Sequence, residues 1–257
     1  MLMQKTMVYQ HLQEAKRRGS KQLAVLIDPD KAEESHLEHL LHLAISAKVD
    51  LFFVGGSLLT RHALDDCLQF LKAHTSIPTI IFPGSALQVS PYADAILLLS
   101  LISGRNPELL IGQQVIAAPY LRESGLEIIS AGYMLVDGGA PTTVSYVSNT
   151  MPIPADKPDI AMCTALAGEM LGLKLVYLDS GSGAKKTVSE AMIEAVSQNT
   201  TVPLIVGGGI RTPEKAYAQA QAGADVIVVG NILEKDPLLL SDMAAAVHRA
   251  NKSLQSY

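Results

Sequence analysis

The chain has no tryptophan, 5% aromatic residues and two cysteines among 257 residues. Cys67 and Cys163 stand far apart and neither has metal-ligand spacing to other ligand types, so neither a zinc motif nor a disulfide framework is encoded. Both fall on expected helix faces, where core packing is their role, and so sparse a usage fits a reducing cytoplasm. With few aromatics, the core must be filled by alanine, leucine, isoleucine and valine, as in parallel strands covered by helices; the hydrophobic share of 48% is ample for that. No block of like charge and no basic stripe occurs, and the net charge is −5, which argues against a nucleic-acid partner. The longest apolar run, residues 95–102, is broken by Ser100 and is too short to span a bilayer, so stable membrane insertion is not expected. Residues 1–19 mix polar and basic side chains and lack the apolar centre of a signal peptide. There is no linker and no low-complexity segment, so residues 1–257 read as a single domain, of a length typical of a (β/α)8 barrel.

Several kinds of chemistry are missing too. There is no Ser/His/Asp set and no Cys/His nucleophile pair. The seven histidines are scattered, and His36, His39, His42 and His62 fall on expected helices, where solvated or packing roles suit them. No lysine closes a strand: Lys31 lies past Asp28 and Asp30, near a helix start, which disfavours Schiff-base chemistry.

What is present is a series of short β-branched and apolar runs, each ending in glycine or aspartate and each followed by a helical pattern. Expected strands cover residues 22–27, 50–54, 77–82, 94–99, 127–136, 173–178, 202–206 and 225–229. The expected helices have recognisable starts, Asp30 with Glu33 and Thr187 with Glu190 as capping boxes, and Thr212 before Pro213 as an N-cap with proline in the first position. Strand–helix alternation over this length predicts one (β/α)8 barrel, with an open doubly wound sheet as the competing architecture. The alternation falters once. Only about ten residues, rich in serine, glycine and proline, separate the third strand from Ala93, so the helix after strand three is expected to be reduced or absent. Residues 137–154 read as a polar loop.

In a barrel the residues just past the strands share one face. There this sequence places Asp28, then Gly55 to Ser57, Pro83 and Gly84, Asp179 to Gly183, Gly207 to Gly209, and Gly230 with Asn231. Adjacent glycines let backbone N–H groups approach an anion, and two glycine-ended strands that each feed a helix fit the phosphate site after strands seven and eight. Tyr177 and Asp179 alternate along strand six and so share a side, where a hydroxyl and a carboxylate can hold a polyol. A phosphate cradle with one or two acids suits group transfer on a phosphorylated small molecule, with Mg2+ on Asp28. Helix capping is the structural alternative for Asp28, though Asp30 fills that position better; for Tyr177 the alternative is core packing.

The segments LIDPDK at 26–31, VGGS at 54–57, YLDSGSGA at 177–184, VGGGIR at 206–211 and VGN at 229–231 together resemble the geranylgeranylglyceryl phosphate synthase family, most closely its second group, in order and over almost the whole chain. The resemblance implies a modified (β/α)8 barrel with one helix lost. It implies Mg2+-dependent transfer of a C20 prenyl group from geranylgeranyl diphosphate to the 3-hydroxyl of sn-glycerol 1-phosphate, with release of diphosphate. By motif position, Asp28 and Ser57 would hold Mg2+. Tyr177, Leu178, Asp179, Ser180, Gly181, Ser182, Gly183, Gly208, Gly209, Gly230 and Asn231 would hold glycerol 1-phosphate, with Asp179 and Tyr177 at the reacting hydroxyl. Many members carry glutamate at the position of Asp179, so the carboxylate here is shorter by one methylene. Smaller bacterial relatives that use a longer donor have lysine two residues before the metal aspartate; Leu26 stands there and favours C20. The prenyl chain is expected in a groove at the gap after strand three, near Leu97, Leu98, Leu99 and Ile102. The family forms dimers and hexamers, so a cytoplasmic homo-oligomer working near a membrane surface is expected. The rival readings are another phosphate-binding barrel enzyme, an isomerase or lyase, and a non-catalytic barrel that senses a phosphometabolite.

Overall fold

The structure, a computed structural model, describes residues 8–254, so residues 1–7 and 255–257 of the expected domain lie outside the described residues. Eight parallel strands close into a barrel in chain order: β1 Gln22–Ile27, β2 Leu51–Val54, β3 Thr79–Ile81, β4 Ala95–Leu101, β5 Glu127–Leu135, β6 Leu175–Asp179, β7 Leu204–Gly207 and β8 Val226–Val229. Gln22 pairs with Val226, which seals the ring and excludes an open sheet. The helices are α1 Val8–Arg17, α2 Glu34–Ala47, α3 Leu64–His74, α4 Gln113–Ser124, α5 Thr143–Ser148, α6 Pro158–Met170, α7 Glu190–Asn199, α8 Pro213–Gln221, α9 Asn231–Lys235 and α10 Leu239–Leu254.

Strand periodicity divides the buried side chains into two shells. Val25, Phe52, Ile81, Met134, Val176, Leu178, Val206 and Ile227 point outward to the helices. Ala24, Phe53, Ile80, Leu97, Ala131, Tyr133, Tyr177, Ile205 and Val228 fill the barrel. Val8 and Leu12 of α1 join that inner shell and close its amino-terminal end. The Glu127 carboxylate at the start of β5 accepts the Val8 and Tyr9 N–H groups, two of the donors a helix start leaves unpaired. At the same end Asp225, just before β8, binds Lys16 Nζ at 2.8 Å and the Leu204 amide at 2.9 Å.

Residues 82–94, between β3 and β4, carry no helix, as expected from their length and composition. Two of the expected capping boxes are corrected. Asp30 does not cap α2: it sits in a 3-10 turn, Pro29–Lys31, and its carboxylate binds Thr60 and the Arg61 amide in the loop after β2. Asp28 caps that turn instead, with Oδ1 accepting the Asp30 amide at 3.1 Å. Helix α7 is capped by Ser189, which accepts the Met192 amide, and not by Thr187. Thr212 caps α8 as expected. Segment 137–154 contains α5, held by a Thr142–Ser145 capping box, and Val136 bridges to Ile153. Cys67 is buried but Cys163 is exposed on α6, so only the first has a packing role. His62 lies in the turn before α3 rather than on a helix.

Candidate active site

The inward positions of β6 run Leu175, Tyr177, Asp179, so the last two stand one above the other at the carboxyl end of the barrel. Tyr177 is wholly buried among Phe53, Phe82 and Tyr133; its ring stacks on Phe82 at 5.1 Å and meets Tyr133 edge-on at 5.6 Å. Asp179 is 7% exposed. Its Oδ2 accepts a hydrogen bond from Tyr133 Oη at 2.7 Å, and its Oδ1 accepts one from the Gly181 amide at 2.7 Å. Burial pushes the Asp179 carboxyl up from the ordinary range, while the Tyr133 and Gly181 bonds pull it back. Burial and the nearby Asp179 charge hold both phenols well above the usual tyrosine value, so they remain neutral hydrogen-bond donors.

Glycines shape the wall beside Asp179. Gly208 has φ +86°, and a Cβ there would come within 2.6 Å of Asp179 Oδ1 and 2.7 Å of the Ser180 nitrogen, a space no L side chain can share. Gly209 and Ile210 then lead into Thr212 and α8. Across the mouth, β8 ends at Val229 and α9 begins at Asn231, whose Nδ2 donates to Ser182 Oγ at 3.0 Å. This bond ties the β6 and β8 loops together. Ser180 is buried, and its Oγ has no hydrogen-bond partner among the described residues. Residues 180–183, 208–209 and 230–231 thus come together, as the sequence predicts for a phosphate cradle. Leu178 departs from the expectation: its side chain lies in the outer shell against the helices, so only its backbone faces this neighbourhood.

The opposite side of the mouth is apolar. A groove of about 390 Å³ opens where the β3–β4 connection lacks a helix. Leu97, Leu98 and Leu99 of β4 line it together with Phe82 and Tyr133, and α4 and α5 form its outer bank. Ile102, expected here, points elsewhere, against Gly132 and Gly168. Ser57 and Gly56 stand at the groove, and Gly84 crosses there so closely that a Cβ would lie 2.2 Å from the Gly56 carbonyl oxygen.

Asp28 continues the inward face of β1 after Ala24 and Leu26. It borders a neighbouring cavity of about 330 Å³ with Lys31, Glu234 and Gly230. Its Oδ2 binds Lys31 Nζ at 3.1 Å, which in turn reaches Glu234 at 3.3 Å. A Cβ on Gly56 would lie 3.7 Å from Asp28 Oδ1, so the Asp28 carboxylate and the Gly56–Ser57 loop are neighbours. No group of three or more His, Cys, Asp or Glu that could hold a metal occurs among the described residues. One carboxylate beside a hydroxyl loop nevertheless fits Mg2+, which keeps several waters and takes its remaining oxygens from substrate phosphates.

Sequence reasoning missed Tyr133 and α5. Tyr133 pairs in register with Tyr177, and that pairing puts its phenol diagonally below Asp179. The inward parity of β5 was available in the sequence; the register was not. In α5, Val144 and Val147 supply groove wall from a stretch whose polar composition reads as loop.

Fold and site together define a (β/α)8 barrel whose β6 to β8 ends form a glycine-walled cradle of the kind that suits a phosphate, with an apolar groove beside it. The PcrB family model matches residues 16–251, and the chain belongs to that family. It is 58% identical to the geranylgeranylglyceryl phosphate synthase of Chitinophaga pinensis, over 95% of this chain and 96% of that one. It is 56% identical to that of Spirosoma linguale, over 95% and 98%. Among solved structures, (S)-3-O-geranylgeranylglyceryl phosphate synthase from Thermoplasma acidophilum, in complex with its substrate sn-glycerol-1-phosphate, superposes with a TM-score of 0.90 at 37% identity, covering 95% of this chain and all of that one.

Proposed function

We infer that this chain transfers a geranylgeranyl group from geranylgeranyl diphosphate to the 3-hydroxyl of sn-glycerol 1-phosphate, in the synthesis of ether lipids. The observation that carries this reading is the meeting of two unlike subsites at one carboxylate: the glycine-walled mouth of β6 to β8 on one side of Asp179, and the apolar groove on the other side of its partner Tyr133. A phosphorylated polyol suits the first and an isoprenoid the second. The Thermoplasma acidophilum relative holds sn-glycerol-1-phosphate, and the same acceptor is assigned here.

In the proposed reaction, the backbone at Gly208, Gly209, Gly230 and Asn231 holds the phosphate, with Ser180, Ser182 and the 181–183 loop around it. Tyr177 and Asp179 face the glycerol hydroxyls. Asp179 takes the proton of the 3-hydroxyl as that oxygen bonds to C1 of the prenyl chain; the C1–O bond to diphosphate breaks, and diphosphate leaves with the electron pair. Burial favours this role, since a raised carboxyl is a better base than an exposed one. Mg2+, which Asp28 and Ser57 would hold, supplies charge neutralisation for the leaving diphosphate. The groove excludes water from the allylic centre. No described helix is long and apolar enough to cross a membrane. We place the enzyme in the cytoplasm, meeting its amphiphilic substrates at a membrane surface, and the exposed apolar side chains Ile111, Val115, Ile116 and Tyr120 support a homo-oligomer.

The test is incubation of purified protein with Mg2+, radiolabelled sn-glycerol 1-phosphate and prenyl diphosphates of several lengths, followed by organic extraction. Label enters the organic phase with the C20 donor. It stays in water with the sn-glycerol 3-phosphate enantiomer or with the Asp28→Ala protein. No transfer with any donor, despite binding of the phosphorylated acceptor, would return the chain to the rival barrel enzymes or to a sensor.

A further inference from the structure

Tyr133 belongs to both subsites. Its ring lines the apolar groove and packs edge-on against Phe82 at 5.8 Å and Tyr177 at 5.6 Å. Its hydroxyl donates to Asp179 Oδ2, while the Gly181 amide donates to Oδ1 of the same carboxylate. One donor on each oxygen fixes the plane of the group, because rotation about the Cβ–Cγ bond breaks both bonds. Each oxygen keeps a further lone pair, and with two sites filled the others are aimed. Gly207 and Gly208 leave space on the β7 side of the carboxylate, and a side chain at Gly208 would close it.

We propose that Tyr133 is the positioning residue of the transfer: its phenol holds the Asp179 carboxylate toward the acceptor hydroxyl, while its ring, packed against Phe82 and Tyr177, keeps the phenol in place at the groove wall. The proposal rests on the reading of Asp179 as the group at the acceptor hydroxyl.

The groups acting on Asp179 are few. From β5 comes Tyr133, on its own strand lies Tyr177, and the loop after it supplies the Gly181 amide. Packed on the other side, β7 ends in Gly207 and the loop after it begins with Gly208, neither of which has a side chain. The Tyr133 bond stabilises the charged carboxylate, so its removal shifts the ionisation of Asp179 upward and never downward.

Tyr133→Phe keeps the ring and deletes the donor. The expected result is a kcat lower by about 10- to 100-fold, the range for loss of a hydrogen bond to a charged group. The KM for the donor should stay within about twofold and the acid limb of the kcat–pH profile should move up by about one unit. Phe82→Leu loosens the same aromatic cluster without touching the phenol, so it should lower turnover and leave the acid limb in place. Wild-type kcat and an unmoved acid limb in Tyr133→Phe, while Asp179→Asn is inactive, would overturn the proposal. So would an equal shift of the acid limb in Phe82→Leu, which would make packing and not the phenol responsible. Full activity in Asp179→Asn would instead sink the underlying reading of Asp179, whatever Tyr133→Phe does.

Discussion

At the scale of single residues, the site is a compromise between stability and chemistry, and Asp179 shows it most clearly. Its carboxyl is raised in the folded protein by burial. A group whose folded value exceeds its unfolded value contributes stability below the unfolded value, and that contribution is lost as pH rises through the folded value. Between the ordinary aspartate range and the raised value, the wild type therefore loses stability that Asp179→Asn retains. Urea unfolding of the two proteins from about pH 4 to pH 7 should show the difference moving in favour of the asparagine variant as pH rises. A flat difference would mean that the two hydrogen bonds balance burial, and one that grows in favour of the wild type would mean that they outweigh it. Gly208 makes the complementary case. Alanine there would be strained by a positive φ and would meet Asp179 Oδ1, so Gly208→Ala should weaken sn-glycerol 1-phosphate binding by at least about tenfold in calorimetry, near 1.4 kcal/mol. Unchanged affinity would place the phosphate elsewhere. Both residues were legible in the sequence, because glycine and aspartate at a strand tip carry their meaning locally. Tyr133 was not, because its role depends on which residue of β6 lies beside it, and register is a property of the closed sheet.

Among the elements, the strands and the missing helix were the most readable. Short, largely apolar runs marked every strand, and the strands themselves span 3 to 9 residues, while the short, Ser-, Gly- and Pro-rich 82–94 segment had too little material for a helix. The helix starts were less so. Asp30 matches a capping box in sequence, yet its carboxylate finds partners thirty residues on, at Thr60 and Arg61, which no local pattern announces. Thr187 lost to Ser189 because the chain turns two residues later. Helix α5 has a sound local signal, Thr142 with Ser145, but only 6 residues follow it and prolines flank it. Helix α1 illustrates how an element serves the whole: it closes the barrel with Val8 and Leu12 rather than covering its side. Leu12 is 1% exposed, so Leu12→Ala should cost about 2 to 4 kcal/mol in urea denaturation, the range for an emptied leucine site. A cost under about 1 kcal/mol would mean that α1 rests on the barrel without packing into it.

For the whole molecule, closure explains why function sits where it does. A parallel barrel gathers eight strand ends on one face, so residues as distant as Asp28, Tyr133, Asp179, Gly208 and Asn231 become neighbours there. The loss of a helix between β3 and β4 then opens the wall on one side, and apolar side chains that a helix would cover line a groove there. Net charge and composition, which argue against a nucleic-acid partner, could not define that groove; its outer bank comes from α4 and α5, which lie outside the gap in sequence. The central claim is that one barrel mouth holds a phosphorylated acceptor and a prenyl donor on either side of the Tyr133–Asp179 pair. The direct measurement is a crystal structure with sn-glycerol 1-phosphate, Mg2+ and an unreactive C20 thiodiphosphate. The account predicts the acceptor phosphate on the backbone of Gly208, Gly209, Gly230 and Asn231, its 3-hydroxyl within hydrogen-bond reach of Asp179, and the C20 chain between Leu97, Leu99 and Tyr133. A phosphate bound away from those glycines, or a chain lying outside the groove, would contradict it.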